Sequence, residues 1–213
     1  MKKSVIFIIL TTVLWFAYST TAYAWLYYSK PEFRGKVIDA QTKTPIEGAV
    51  VVVIYMKHEF ISGPGGGSTV PMNAKETLTD KNGEFYFPSY RTMSSPLTLE
   101  DRSEFIFFKP GYKAIDDLNG LPIKIPYEKY FAIKKDIVGK DGEIKHSDTY
   151  GTLHTYTYTG PLGIVELKRT MTREEKLLAI PSPPTDYTSK ELPLFIKIIN
   201  EAGNNLGLKG GYK

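Results

Sequence analysis

The run AVVVVIYM, Ala49 to Met56, is apolar at every position and shows no alternation. A strand with one wet face alternates apolar with polar residues, so an unbroken β-branched run predicts a strand covered on both sides. The run is also poor helix material, because Val and Ile lose side-chain freedom against the preceding turn. It is far shorter than the ~20 residues that cross a bilayer as a helix. A chain built around such a strand needs a second layer on each side of it, and the predicted setting is the interior of a β-sandwich.

The neighbouring segments supply strands for that sandwich. Phe33 to Asp39 is predicted as a strand, joined to the apolar run by a polar link containing Thr42, Lys43, Thr44 and Pro45. Gly63, Pro64, Gly65, Gly66 and Gly67 then form the core of a flexible connection spanning Ser62 to Thr69. Without the G-x-x-x-x-G-K-[ST] spacing or a following helix, this Gly run is not a phosphate cradle. In TLTDKNGEFYF, Glu76 to Thr79 and Glu84 to Phe87 read as two strands of a hairpin turned by Asp80, Lys81, Asn82 and Gly83. Asp caps such a turn and Asn-Gly supplies its positive φ. The same residues mimic the opening of a calcium loop, but the twelfth residue from Asp80 is Arg91 where an EF-hand needs Glu. Glu104 to Phe108 is the next strand, followed by a Pro110-Gly111 turn and a short extension, Tyr112 to Ile115.

Residues 116–160 change character: they are polar, Tyr-rich and broken by Gly and Pro, and read as a long insertion. Within it Lys140, Asp141 and Gly142 suit a hairpin turn, and TLHTYTYT alternates as an edge strand would. Gly163 to Lys168 is predicted as the last core strand. The period then shifts to helical. Thr172 and Glu175 form a capping box for a short helix through Ala179, and PSPPTDY is an extended linker. A second helix is predicted from Thr188 or Ser189, with Pro193 in its first turn and Gly203 at its end. Leu192, Phe195, Ile196 and Ile199 share one face of it, which either packs on the sandwich or docks on a partner.

Lys2 and Lys3, the apolar stretch Val5 to Tyr18, and Ala22-Tyr23-Ala24 have the order of a secretory signal, predicting export and cleavage after Ala24. An uncleaved anchor, extended by Trp25, Leu26, Tyr27 and Tyr28, is the alternative. The 27 basic and 23 acidic residues give a net charge of +4, half of it from Lys2 and Lys3, and no basic cluster marks a nucleic-acid face. There is no Cys, which removes disulfides, thiolate metal ligands and a Cys nucleophile together. The organisation expected is therefore a signal at 1–24, a β-sandwich domain at 25–170 containing the insertion, and a helical extension at 171–213.

The punctuation GKVIDAQTKTPIEGAVVVV, TLTDKNGEFYF and KPGYKAI resembles that of the carboxypeptidase regulatory-like domains of the transthyretin-like (prealbumin-like) superfamily. Together these motifs cover about 85 residues, from Phe33 to Ile115, with Gly163 to Lys168 as closing strand. The resemblance implies a Greek-key β-sandwich, here carrying the Tyr-rich insertion and a two-helix C-terminal extension. It implies no activity: such domains accompany zinc catalytic domains without supplying ligands, and similar ones precede the barrels of outer-membrane receptors. Some cell-surface modules of this fold form Lys-to-Asn isopeptide bonds; Lys36 is the donor candidate, but GIVELKR offers no Asn partner.

Catalytic signatures are missing from the residues themselves. There is no HExxH, and none of His58, His146 and His154 is followed by Glu at the third position. No G-x-S-x-G occurs, and Asp116-Asp117 reads as a solvated turn. Tyr130, Tyr150, Tyr156 and Tyr158, with Tyr127, gather in the insertion, where flat rings with hydroxyl handles suit either saccharide stacking or covering a sheet edge. The function expected is thus a non-enzymatic accessory or interaction module of the periplasm or cell envelope, needing no cofactor or metal. Its partner is expected to be another envelope protein bound through Leu192, Phe195, Ile196 and Ile199. The alternative is a glycan or peptide bound by the insertion.

Overall fold

The computed structural model describes residues 27–60, 66–95, 97–115, 127–132, 143–147, 153–157, 163–184 and 190–212. Along them run β1 (Tyr27–Lys30), β2 (Phe33–Asp39), β3 (Val50–Glu59), β4 (Ser68–Leu78), β5 (Glu84–Phe87), β6 (Tyr90–Met93) and β7 (Thr98–Phe108). There follow α1 (Tyr127–Phe131), β8 (Glu143–Ser147), β9 (Leu153–Thr157), β10 (Ile164–Leu167), α2 (Arg173–Leu178) and α3 (Pro193–Asn205). The fold is mainly β.

Two three-stranded sheets carry the core, one ordered β10-β2-β5 and the other β4-β3-β7; β1-β6 and β8-β9 are two-stranded ribbons. β3 is the central strand of its sheet, which explains its sequence. Val51, Val53 and Tyr55 point into the space between the sheets and meet Phe33, Val37, Phe85, Phe87, Val165 and Leu167. Val50, Val52, Ile54 and Met56 point the other way, against Leu192, Phe195, Ile196, Ile199 and Ala202 of the α3 segment. The layers are therefore sheet, sheet and helix, and the doubly apolar strand lies in the middle one.

This arrangement corrects the expectation that the α3 face docks on a partner. Leu192 and Phe195 are fully buried, and Ile196 and Ile199 nearly so, beneath the chain's own β3. Burying four such side chains stabilises the unit by about 1.5–3 kcal/mol each, and none is left to present to another protein. The helix starts at Pro193, later than Thr188 or Ser189, with Leu192 as a cap residue that makes no side-chain cap bond. Its cap is supplied from far away: the Glu76 carboxylate of β4 accepts from the backbone N–H of Leu194 (2.7 Å) and Phe195 (2.8 Å). A carboxylate on a helix N-terminus satisfies orphan donors and the helix dipole at once. Beside it, α2 has the capping box expected of Thr172 and Glu175.

The TDKNG segment departs from its expected role. The turn chemistry is present: Asp80 Oδ1 accepts from the N–H groups of Asn82 (2.9 Å) and Glu84 (2.8 Å), and Gly83 has φ +74°. A Cβ on Gly83 would lie 2.4 Å from the carbonyl oxygen of Val37, so the position takes no side chain. Yet β4 pairs with β3 while β5 pairs with β2, so the flanking strands belong to different sheets and do not form a hairpin. The turn is a corner between the layers.

Two further expectations change. The region 116–160 is not all peripheral, because α1 sends Phe131 and Tyr130 into the core between the sheets. β8 and β9 pair antiparallel, with Glu143 opposite Thr157 and Ser147 opposite Leu153, while the turn expected at Lys140 to Gly142 lies outside the described residues. β4 begins at Ser68, which shortens the Gly-rich connection from its far end. The last core strand, β10, pairs parallel with β2, with Ile164 opposite Lys36 and Leu167 opposite Asp39.

Candidate functional site

The outward face of the β10-β2-β5 sheet carries an open cleft of about 680 Å³. Its lining includes Arg34 and Lys36 of β2, Glu84 and Tyr86 of β5, Ile164 of β10 and Leu78 at the end of β4. Alternation along β2 puts Phe33 and Val37 in the core and turns Arg34 and Lys36 outward. Register then sets Arg34 against Tyr86 and Lys36 against Glu84. The Arg34 guanidinium lies 4.8 Å from the Tyr86 ring centroid, and the Tyr86 hydroxyl donates to Glu32 Oε2 at 3.1 Å. Beneath the cleft the sheet is tight, since a Cβ on Gly35 would meet the Phe85 ring at 2.6 Å and the Gly163 carbonyl at 2.7 Å.

This surface combines an aromatic face, exposed at Tyr86, with donors and acceptors of both charge signs. Asp80 and Glu84 line the same cleft as the two cations, so a polyanion would meet repulsion as well as attraction. A neutral polar ligand such as an extended polypeptide or a saccharide suits it better.

The buried charges lie elsewhere and bind the chain to itself. Lys30 of β1 is buried, with its Nζ 2.5 Å from Glu128 Oε1 and 3.0 Å from Glu100 Oε1. It also donates to the Asp101 carbonyl, and Ser103 Oγ donates to the same Glu128 oxygen at 2.7 Å. Lys30 thus joins β1, β7 and α1. Next to it Tyr28 donates to the Met56 carbonyl at 3.0 Å, and burial first, then Glu128 and Glu100, push its hydroxyl pKa far above the usual range.

Asp39, at the end of β2, is the second such knot. Its carboxylate accepts from the N–H groups of Gln41 and Thr42 (2.9 Å each), from Arg169 Nε at 2.5 Å and from the Tyr112 hydroxyl at 3.1 Å. The Thr42 bond first, then Arg169, hold its pKa well below the usual carboxylate range against the opposing effect of burial. A carboxyl with a depressed native pKa contributes stability above its unfolded pKa of ~3.9, and that contribution is lost as pH falls through the native value. The difference in Tm between the wild type and Asp39→Asn is therefore expected to be constant above about pH 5 and to shrink below about pH 4. A difference that stays level throughout an acid series would refute the assignment.

The sequence-predicted residues fare unevenly. Tyr130 is not available for stacking on a ligand: it is 2 % exposed, and its hydroxyl donates to the Ile164 carbonyl at 2.5 Å. Tyr156 lies on β9 opposite Ile144, while Tyr150 and Tyr158 fall outside the described residues. On the same ribbon the register places His146 opposite His154, and His58 is on β3. Leu192, Phe195, Ile196 and Ile199 are core residues, as described above. Tyr86 and Arg34 stand at outward positions of the strands expected at Glu84 to Phe87 and Phe33 to Asp39. What brings them together is the pairing of β2 with β5, which sequence pattern does not report.

No family model matches the chain, and no curated protein matches it. Among solved structures, a streptococcal ancillary pilin is similar at 13 % identity and a TM-score of 0.24, over 66 % of this chain. The match spans 30 % of that pilin chain. A likeness of this size carries neither fold nor function across.

Proposed function

We propose that the chain is an exported, non-catalytic accessory module of the cell envelope, a β-sandwich of the transthyretin-like type that binds a protein partner through the outer face of the β10-β2-β5 sheet. The observation that carries this reading is the cleft with the exposed pair Tyr86 and Arg34 at its lining. The opposite sheet is closed by α3, and the buried charges Lys30 and Asp39 are engaged by groups of the same chain. Aromatic and Arg side chains are also the types most often found at the energetic centres of protein interfaces.

The test is cross-linking of the tagged protein in its native cells, followed by mass spectrometry, for the wild type and for Tyr86→Ala. Recurrent envelope-protein adducts in the wild type that drop at least severalfold in Tyr86→Ala are the expected result, because loss of a central aromatic anchor costs about 2 kcal/mol or more of binding. An identical set of adducts from both proteins would sink the proposal. A saccharide ligand is the second reading, favoured by the flat exposed Tyr86 ring beside the hydrogen-bonding groups of Glu84 and Lys36. It predicts glycan retention by the wild type that Tyr86→Ala loses, with no protein adduct at that face.

A further inference from the structure

Four exposed apolar side chains, on strands or directly beside them, are gathered at one end of the sandwich. Tyr27 is 59 % exposed, Met93 71 %, Leu97 53 % and Phe60 44 %. Tyr27 and Met93 are cross-strand partners at the tip of the β1-β6 ribbon. Strand direction brings them to the same end as the other two. β6 starts with the Tyr90 ring stacked on Tyr55 at 4.6 Å and runs three residues to Met93; the chain then enters β7 at Thr98, which pairs with Glu59. Phe60 follows Glu59 directly, and its N–H donates to the Leu97 carbonyl at 3.1 Å. Four apolar tips from three separate segments thus crown the end at which β3 finishes and β7 begins.

That end also holds Tyr27, the first of the described residues. Tyr27 is the first residue of β1, and immediately ahead of it in the sequence stand Trp25, Leu26 and the apolar stretch Val5 to Tyr18. Side chains such as Tyr, Phe, Met and Leu at the tip of a domain that follows an apolar stretch in the sequence match the chemistry of a lipid headgroup boundary. Of the charges near the tips, Lys57 and Glu59 pair at 2.7 Å, Glu100 is held by the Lys30 ammonium at 3.0 Å, and Arg91 is exposed on the ribbon where an anionic headgroup can reach it.

We infer that Val5 to Tyr18 is retained as the uncleaved anchor and that this apolar end is a membrane-facing surface, with Tyr27, Phe60, Met93 and Leu97 resting in the interfacial layer of the bilayer that receives that stretch. The cleft at Tyr86 opens on the outer face of a sheet, so it is left free. The inference does not rest on the partner-binding reading, because Tyr86→Ala alters the cleft and none of the apolar tips.

The absence of Cys makes the test clean, since a single introduced Cys is the only labelling point. The full chain carrying Leu97→Cys, and separately Lys81→Cys, is labelled with an environment-sensitive fluorophore and reconstituted with vesicles of phosphatidylethanolamine and phosphatidylglycerol. Lys81 lies in the corner turn at the far end, roughly 30 Å away along the length of β3. The expected result is co-flotation, a blue shift and severalfold weaker iodide quenching at position 97, with the position 81 label unchanged from its signal in buffer. Adding Phe60→Ser and Met93→Ser to the Leu97→Cys protein is expected to restore iodide access. A chain that stays off the vesicles, equal quenching at 97 and 81, or shielding at 97 that survives the two Ser substitutions would each overturn the inference.

Discussion

Phe131→Ala is expected to lower the unfolding free energy by about 3–5 kcal/mol, the range for truncating a buried Phe. Phe131 is fully buried and packs on rings of both sheets, with centroids 5.4 Å from Phe85, 4.8 Å from Phe105 and 5.5 Å from Phe107. The α1 side chain thus fills the space where the layers meet. Truncation removes apolar burial and leaves a cavity whose lining loses its packing partners. Urea denaturation followed by far-UV circular dichroism measures the effect directly. A loss under about 1 kcal/mol would show that α1 is an appendage on the sandwich and not part of its core.

That prediction falls where the sequence was hardest to read. Phe131 stands in a Tyr-rich polar stretch with Pro126 just ahead of α1 and Gly139 not far beyond, and a five-residue helix has too few positions to display a period. β3 is the opposite case: eight apolar residues without alternation announced two covered faces, and both covers are present. The helix that provides one of them was also legible from the spacing of Leu192, Phe195, Ile196 and Ile199. What could not be read was that these two apolar surfaces belong together, because sequence pattern reports that a face must be covered and does not report by what.

The same distinction explains the cleft. Asp80, Asn82 and Gly83 specify a tight reversal through local hydrogen bonds, but a reversal is equally compatible with strands that stay paired and strands that part into two layers. The deciding interactions are long-range: Gly83 offers its carbonyl to the Val37 N–H at 2.8 Å, and β5 follows β2 as a result. Once β5 is beside β2, Tyr86 faces Arg34 and the cleft exists. Glu76 illustrates it again, since the residue that caps α3 precedes that helix by more than a hundred positions and reads in sequence as an ordinary strand glutamate.

Lys30→Ala is expected to be the second large effect, about 3–5 kcal/mol, because removing one partner of a buried ion pair leaves the other uncompensated. The partner most affected is Glu128, which is largely buried, accepts from Ser103 and has the Lys30 ammonium at 2.5 Å; Glu100 is nearly half exposed and can turn to water. The alternative account is that Lys30 matters only for the packing of its aliphatic stem, and Lys30→Met separates the two. Met keeps most of the apolar volume and none of the charge, so a packing role would leave Lys30→Met close to wild type. An electrostatic role makes Lys30→Met nearly as damaging as Lys30→Ala. Combining Lys30→Met with Glu128→Gln then removes the stranded carboxylate together with its counter-ion, and the double variant is expected to be more stable than the sum of the single losses by about 1–3 kcal/mol. Additivity within about 0.5 kcal/mol would exclude the coupling. The result matters beyond stability, because Lys30 ties β1, the strand that follows the apolar N-terminal stretch, to β7 and α1. A strong coupling would make Lys30 a principal attachment of β1 to β7 and α1, beside the β1-β6 ladder and the Tyr28 bond to the Met56 carbonyl.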